Sequence, residues 1–141
     1  MKDKFFIDTN IVVYAFSLEP EKKVIAKQLI KDAHKKDGCL CFQVIQEFLN
    51  TSTKKFKIPL KKEDTQRYLS EILFPICEVF PSEKLYYNAL DIYEQFKYSF
   101  YHSLIISAAL ESNCKILYSE DLQNNQKIYD LTIKNPFLKE I

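Results

Sequence analysis

The 141-residue chain has one glycine, Gly38, and that scarcity excludes a good deal. The glycine-rich loops that cradle the phosphates of dinucleotides or nucleoside triphosphates need several glycines at fixed spacing. Arginine is as scarce: Arg67 stands alone beside nineteen lysines, so phosphate contacts rest on lysine point charges rather than bidentate guanidinium forks. Tryptophan is absent, and so is any long apolar run. The run from residue 11 to 16 is interrupted by Tyr14 and falls far below the roughly 18 residues of a membrane span. Lys2, Asp3 and Lys4 lead straight into Phe5-Phe6-Ile7 with no signal-peptide pattern, so a soluble, cytoplasmic protein is expected. The four cysteines, Cys39, Cys41, Cys77 and Cys114, form no Cys-x-x-Cys and have no histidine pair at zinc spacing. Each lies in or beside an apolar segment, which predicts buried, reduced thiols.

What is present is ordinary for one globular domain spanning 1–141: 47% hydrophobic residues, 28% charged and a net charge of +1. The near balance does not announce a nucleic-acid binder. Charge is nevertheless segregated locally, in Lys54, Lys55, Lys57, Lys61 and Lys62.

Hydrophobic periodicity predicts an alternation of strands and helices. Strands are expected at 4–8, 39–42, 77–80, 115–118 and 131–134. Helices are expected at 11–17, 20–36 (Val24, Ile25, Leu29 and Ile30 on its buried face), 43–56, 62–73, 83–97 and 101–112. Asp8-Thr9-Asn10 and Pro81-Ser82 are helix-start signals, and Pro20 suits a first helical turn. Tyr86 and Tyr87, at helical spacing, are expected in the core. Strands joined by long helices require crossovers, hence an α/β fold with a mainly parallel sheet and helices on both faces. Ligands in such folds gather at the carboxyl ends of the strands.

Three acids fall there. Asp8 ends the first strand, Glu47 lies a helical turn beyond the second, and Asp121 follows the fourth. Each has an ordinary structural use, as a cap, a solvated helix face or a turn. Together they repel one another unless a cation sits among them. A hard divalent ion, magnesium or manganese, takes such oxygen ligands and keeps waters for chemistry on phosphate esters. A phosphoacceptor domain fits poorly, because Asp8 is flanked by Ile7 and Thr9 rather than by a second acid.

The flanking residues sharpen this. Phe6-Ile7-Asp8-Thr9-Asn10-Ile11, Gln43-Val44-Ile45-Gln46-Glu47-Phe48, Ser99-Phe100-Tyr101-His102-Ser103-Leu104-Ile105, Ile116 to Gln123 and Asn135-Pro136-Phe137 occur in order over nearly the whole chain. Taken together they resemble the PIN-domain ribonucleases, most closely the VapC-type toxin branch. The resemblance implies a three-layer α/β/α fold and magnesium- or manganese-dependent endonucleolytic cleavage of RNA. It also implies an antitoxin partner and a homodimer. Asp8, Glu47 and Asp121 correspond to metal-binding catalytic acids, with Thr9, Asn10 and Ser119 as supporting residues. A fourth aspartate is expected where this chain has His102, so the site is short of one carboxylate and activity is expected to be attenuated. The alternative is a catalytically silent PIN-like protein that binds an antitoxin or RNA without cutting. Lys54, Lys55 and Lys57 are the candidate RNA contacts, and Tyr98 and Tyr101 candidate stacking residues.

Overall fold

The computed structural model describes residues 3–56 and 58–139. Its centre is β1 (Phe5–Ile7), three residues buried on both faces, as a strand covered by helices on each side must be. Asp8 stops the strand and caps α1 (Thr9–Tyr14), its side chain accepting from the Thr9 amide. Pro20 opens α2 (Pro20–Asp32), which continues through a π-type turn (Ala33–Asp37) into β2 (Gly38–Cys41). Then come α3 (Phe42–Lys54), α4 (Lys62–Tyr68), a second π-type turn (Leu69–Leu73), a 3-10 turn (Phe74–Ile76) and β3 (Cys77–Val79). Ser82 caps α5 (Glu83–Phe96) by accepting from the Leu85 amide, and Lys97, in the left-handed region at φ 65°, ends it. Ser99 caps α6 (Phe100–Glu111) by accepting from the His102 amide. The chain closes with β4 (Ile116–Tyr118), β5 (Lys127–Ile128) and β6 (Leu131–Lys134).

The six strands run in the order β3-β2-β1-β4-β6-β5, parallel except for the β5–β6 pair. The predicted three-layer α/β/α architecture is the observed one. The chain builds outward from β1 through β2 to β3, then returns to β1's other side as β4. That reversal puts a switch point between β1 and β4, where the carboxyl ends of two strands part and leave a crevice. Of the helices, α6 is the most deeply set: all residues from Ser103 to Ala109 are buried, as expected of a helix apolar on every face.

Several expectations need correction. Val24 is 68% exposed, because α2 buries the narrower stripe Ala26 and Ile30 that continues to Ala33. Phe42 starts α3 instead of ending β2. The helices expected at 20–36 and 62–73 both give way to π-type turns partway along. Tyr87 is 61% and Tyr86 37% exposed, since α5 turns Leu85, Ala89 and Ile92 inward instead. A sixth strand, β5, was not anticipated. It hydrogen-bonds to β6 across a turn at Tyr129-Asp130, with Tyr129 at φ 55° and no Asn-Gly or Gly to announce the hairpin. The cysteines are free thiols, as expected, but only Cys39, Cys41 and Cys114 are buried and Cys77 is half-buried; Cys39 and Cys114 face each other in the core with sulfurs 3.6 Å apart.

Candidate active site

The β1–β4 crevice collects Asp8, Ser119 and Asp121 because the two strands are in parallel register, Ile7 opposite Tyr118. The next residue of each strand therefore stands at the same height. Asp8 is 4% exposed, an unusual place for a carboxylate. Its Oδ1 accepts from the Thr9 amide at 2.7 Å and its Oδ2 from the Ser119 hydroxyl at 2.7 Å. Asn10 ties the crevice together: its Nδ2 lies 3.4 Å from Asp8 Oδ2, 3.3 Å from Ser119 Oγ and 3.2 Å from Asp121 Oδ2. Its Oδ1 accepts from the Glu120 amide at 3.2 Å, and the Asp121 amide donates to Ser119 Oγ at 3.2 Å. One side chain from the first turn of α1 thus fixes the turn that carries Asp121.

The third acid approaches from α3. Glu47 Oε1 accepts from the Thr9 hydroxyl at 3.1 Å and from Gln43 Nε2 at 3.0 Å. Gln43 and Glu47 sit four residues apart on one helix face, so the amide one turn earlier aims the carboxylate toward α1. The same Gln43 amide donates to the Tyr101 carbonyl at 3.3 Å, tying α3 to the start of α6. His102 follows on that first turn, half-buried, its ring edge-on to Tyr98 at 6.5 Å.

Electrostatics single out Asp8. Burial pushes its pKa up; the Ser119 and Thr9 hydrogen bonds pull against that, the Glu47 charge adds to it, and His102 opposes it. Among the described residues no three His, Cys, Asp or Glu side chains close into a metal cage. The donor set nevertheless fits magnesium or manganese in chemistry: all its acids offer oxygen. Magnesium in particular is held by one or two carboxylates while it keeps several waters. Burial disfavours Asp8 as an anion, and a bound cation would relieve that cost.

Two polar atoms are buried without a partner among the described residues, Gln43 Oε1 and Ser103 Oγ. They belong to the two elements, α3 and α6, that carry Glu47 and His102. Such orphans are rare in native folds and concentrate where function overrides packing.

Lys54 and Lys55 are exposed at the far end of α3; Lys57 lies outside the described residues. Tyr98 is engaged, its hydroxyl donating to Gln126 and accepting from the Gln123 amide, whereas the Tyr101 ring is 68% exposed. A clamp on the Asp121 turn escaped sequence reasoning. Lys22 Nζ donates to Glu120 Oε2 at 2.7 Å and to the Tyr14 hydroxyl at 3.1 Å, and Tyr14 donates to the other Glu120 oxygen. The ammonium also lies 4.5 Å from the Tyr14 ring centroid and 5.5 Å from that of Phe137. Lys22 and Glu120 are 98 positions apart, a separation no local pattern signals.

Two solved structures share this architecture. A chain of a toxin–antitoxin complex from Klebsiella pneumoniae superposes with a TM-score of 0.68 at 16% identity, covering 94% of this chain and 98% of that one. A chain of VapBC2 from Rickettsia felis, bound to a DNA fragment from their promoter, gives 0.59 at 23% identity, covering 93% and 97%. No curated protein matches the chain by sequence. The PIN domain family matches residues 5–128, from β1 through β5 and so across the whole carboxylate crevice, and the chain belongs to that family.

Proposed function

We propose that this chain, acting over residues 1–141 as one PIN domain, is a metal-dependent RNA endonuclease and the toxin of a toxin–antitoxin pair, attenuated by His102. PIN domains are generally nucleases that use divalent metals. The observation that carries the reading is the buried Asp8 carboxylate, stitched through Ser119 and Asn10 to Asp121 and through Thr9 to Glu47. An acid kept 96% from solvent with no ion pair among the described residues costs stability, which a role in binding a cation explains. Magnesium or manganese would be held by Asp8, Glu47 and Asp121. Bound there, such an ion supplies Lewis acidity, an activated water and stabilisation of the charge that develops on a phosphate. The protein's own part is to hold the acids before the substrate arrives. Ser119 and the Thr9 amide fix both oxygens of Asp8, Gln43 and Thr9 aim Glu47, and Asn10 locks the Asp121 turn. His102 brings an imidazole where a carboxylate would bring negative charge, and magnesium prefers oxygen.

The partners in this reading are RNA, an antitoxin and a second copy of the chain, in the cytoplasm. Lys54 and Lys55 would hold phosphates as point charges. No helix among the described residues is long and apolar enough to cross a membrane. A groove of about 570 Å³ between α2 and α4 suits an antitoxin segment. Phe16, Tyr68 and Ile72 give it an apolar floor, and Lys23, Lys27 and Lys31 line one side without an ion pair among the described residues. Apolar anchors flanked by acids are the complement of that surface. The silent-binder reading draws its support from His102 and from the lack of a closed cage among the described residues.

The test is cleavage of a structured RNA in magnesium and in manganese by the wild type and by Asp8→Asn, with manganese affinity measured by calorimetry. Cutting by the wild type, together with loss of cutting and of manganese binding in Asp8→Asn, is expected. Intact RNA in both metals overturns the nuclease reading in favour of the silent binder, and unchanged manganese affinity in Asp8→Asn overturns the site.

A further inference from the structure

The four thiols of the chain are not alike. Cys39, in β2, and Cys114, just ahead of β4, are 75 positions apart in sequence, yet their sulfurs are in van der Waals contact at 3.6 Å. No other two of the four sulfurs come within hydrogen-bond reach among the described residues. Ser112 Oγ stands beside both, 3.5 Å from the Cys39 sulfur and 3.4 Å from that of Cys114. The Cys114 hydrogen bond holds the Cys39 thiol below its ordinary pKa, helped by Ser112 and the Lys4 ammonium, against burial and the Glu78 charge. Cys114 is held above its own, first by the Cys39 hydrogen bond and then by burial. The other two cysteines have no such help: burial pushes Cys41 up to about 12 and raises Cys77 as well. One thiol that ionises early beside one that keeps its proton is the division of labour that thiol oxidation uses. A groove of about 430 Å³, lined by Lys4, His34, Ile76 and Glu78, has Gly38, the residue before Cys39, in its wall. The cysteines themselves are 0% and 2% exposed, so the pair selects an oxidant about the size of water.

We propose that Cys39 and Cys114 are a redox modification site, oxidised by hydrogen peroxide to an intramolecular disulfide that staples the sheet. The Cys39 thiolate attacks one peroxide oxygen; the O–O bond breaks, and the other oxygen takes up a proton and leaves as water. The Cys114 sulfur then attacks the sulfur of the Cys39 sulfenic acid, the S–O bond breaks, and the hydroxyl leaves as water with the Cys114 proton. Two thiols have lost two electrons, and the peroxide has become two waters. The sulfurs close from contact distance to a bond of about 2.05 Å. Because β1 lies between β2 and β4, the new bond ties its two neighbours together toward the end away from Asp8. The loop it closes is long, and long loops are where a crosslink restricts the unfolded chain most. The site is independent of the nuclease reading of the crevice.

The experiment treats the full chain, folded and in EDTA, with hydrogen peroxide or with oxidised glutathione. Remaining thiols are alkylated before digestion and mass spectrometry. Peroxide is expected to leave a Cys39–Cys114 crosslink, lighter by two hydrogens than the separate peptides and lost on reduction with dithiothreitol. Fragmentation spectra place the link at Cys39 rather than at Cys41 of the same peptide. Oxidised glutathione should leave Cys39 and Cys114 free. The crosslinked protein should melt about 10 °C above the reduced form, and dithiothreitol should abolish the gain. Cys39→Ala and Cys114→Ala should show neither crosslink nor gain, whereas Cys77→Ala, which removes the most accessible thiol, should show both. The wild-type peptide map decides the assignment even where a variant fails to fold. A link through Cys41 or Cys77 overturns the proposal, as does a glutathione adduct on Cys39 or Cys114. So do peroxide products limited to sulfinic and sulfonic acids, four free thiols after peroxide, or a crosslink that leaves the melting temperature unchanged or lower.

Discussion

The two ends of β1, a strand of three residues, are built on opposite terms. At the amino end, packing is close and apolar. Phe5 presses on Gly38 so tightly that a Cβ there would lie 2.4 Å from its ring, and the Cys39 and Cys114 thiols fill the space beside Ser112, which bonds back to the Ala108 carbonyl. Nothing at that end demands a ligand. At the carboxyl end the same strand delivers Asp8 into a buried crevice, and two buried polar atoms on the surrounding helices have no partner among the described residues. A fold selected for stability alone would make both ends alike, because buried acids and orphaned polar atoms each cost free energy. The difference marks where the protein gives up stability for a site, and substitutions on either side of Ile7 should therefore move stability and activity in different directions.

The largest effect is expected between the two ends, at Phe6, which is fully buried in the middle of β1. Phe6→Ala opens a cavity in the layer that holds both ends in place and should cost about 3–5 kcal/mol, read as a fall in the denaturant midpoint. A loss below about 1 kcal/mol would mean that the sheet does not depend on its central strand, and the contrast between the ends would lose its basis.

The next largest effect belongs to the crevice. His102→Asp restores the carboxylate that the PIN resemblance expects. Magnesium affinity and RNA cleavage should rise about tenfold or more, since each factor of ten in rate corresponds to about 1.4 kcal/mol at the transition state. Single-turnover cleavage in magnesium compares the two proteins; an equal or lower rate for the aspartate variant means that the imidazole already does the work, or that the site has decayed beyond one residue.

Much of this contrast was legible before any coordinates. Phe5-Phe6-Ile7 reads as a buried strand, and Asp8-Thr9-Asn10 as a strand stop and helix start, because caps and apolar runs are local chemistry. The alternation of strands and helices put Asp8 and Asp121 at carboxyl ends, and parallel register then made them neighbours. What was not legible depends on contacts between distant parts of the chain. Val24 looks like a core residue until the narrow seat of α2 is known, and Tyr86 and Tyr87 until Leu85, Ala89 and Ile92 claim the buried face of α5. The hairpin at Tyr129-Asp130 lacks the glycine or asparagine that would have revealed β5. Asn10's four-way bonding and the pairing of Lys22 with Glu120 join segments about a hundred positions apart, where sequence patterns carry no information.

Asp8→Asn tests the trade directly. The carboxyl is pushed above its ordinary value mainly by burial, so as an anion at neutral pH it weakens the fold. The amide keeps the shape and removes the charge; its oxygen still accepts on one side, from Thr9 or from Ser119 and Asn10, while its NH2 faces donors on the other. Without metal, the variant should be more stable than the wild type by about 1 kcal/mol and raise the melting temperature by a few degrees. Manganese should raise the wild-type melting temperature and leave the variant's unchanged, because only a ligand that binds the native state stabilises it. A variant less stable than the wild type in EDTA would show that Asp8 supports the fold as any cap does, and the two ends of β1 would no longer differ in kind.

The smallest effect sharpens the comparison at the edge of the crevice, where the Lys22–Glu120 clamp holds the Asp121 turn. Burial raises the Glu120 pKa, but the Lys22 and Tyr14 hydrogen bonds outweigh it, and the carboxyl ends below its ordinary value. A carboxylate whose pKa is depressed on folding contributes stability above its unfolded value, about 4.3, and loses it as pH falls through the lower folded value. Lys22→Met keeps an apolar stem against Tyr14 and Phe137 but removes the charge and its hydrogen bonds. The variant should therefore lose a little stability at pH 7 and almost none below pH 3, so its melting temperature should change less steeply with acid than that of the wild type. The pair is partly exposed, so the loss stays small. Lys22→Arg should restore the acid dependence. If the clamp also positions Asp121, Lys22→Met lowers manganese affinity at pH 7 although residue 22 touches none of the three acids. Parallel melting curves for wild type and Lys22→Met from pH 7 to pH 3 would show instead that the pair is decoration on a turn already fixed by Asn10.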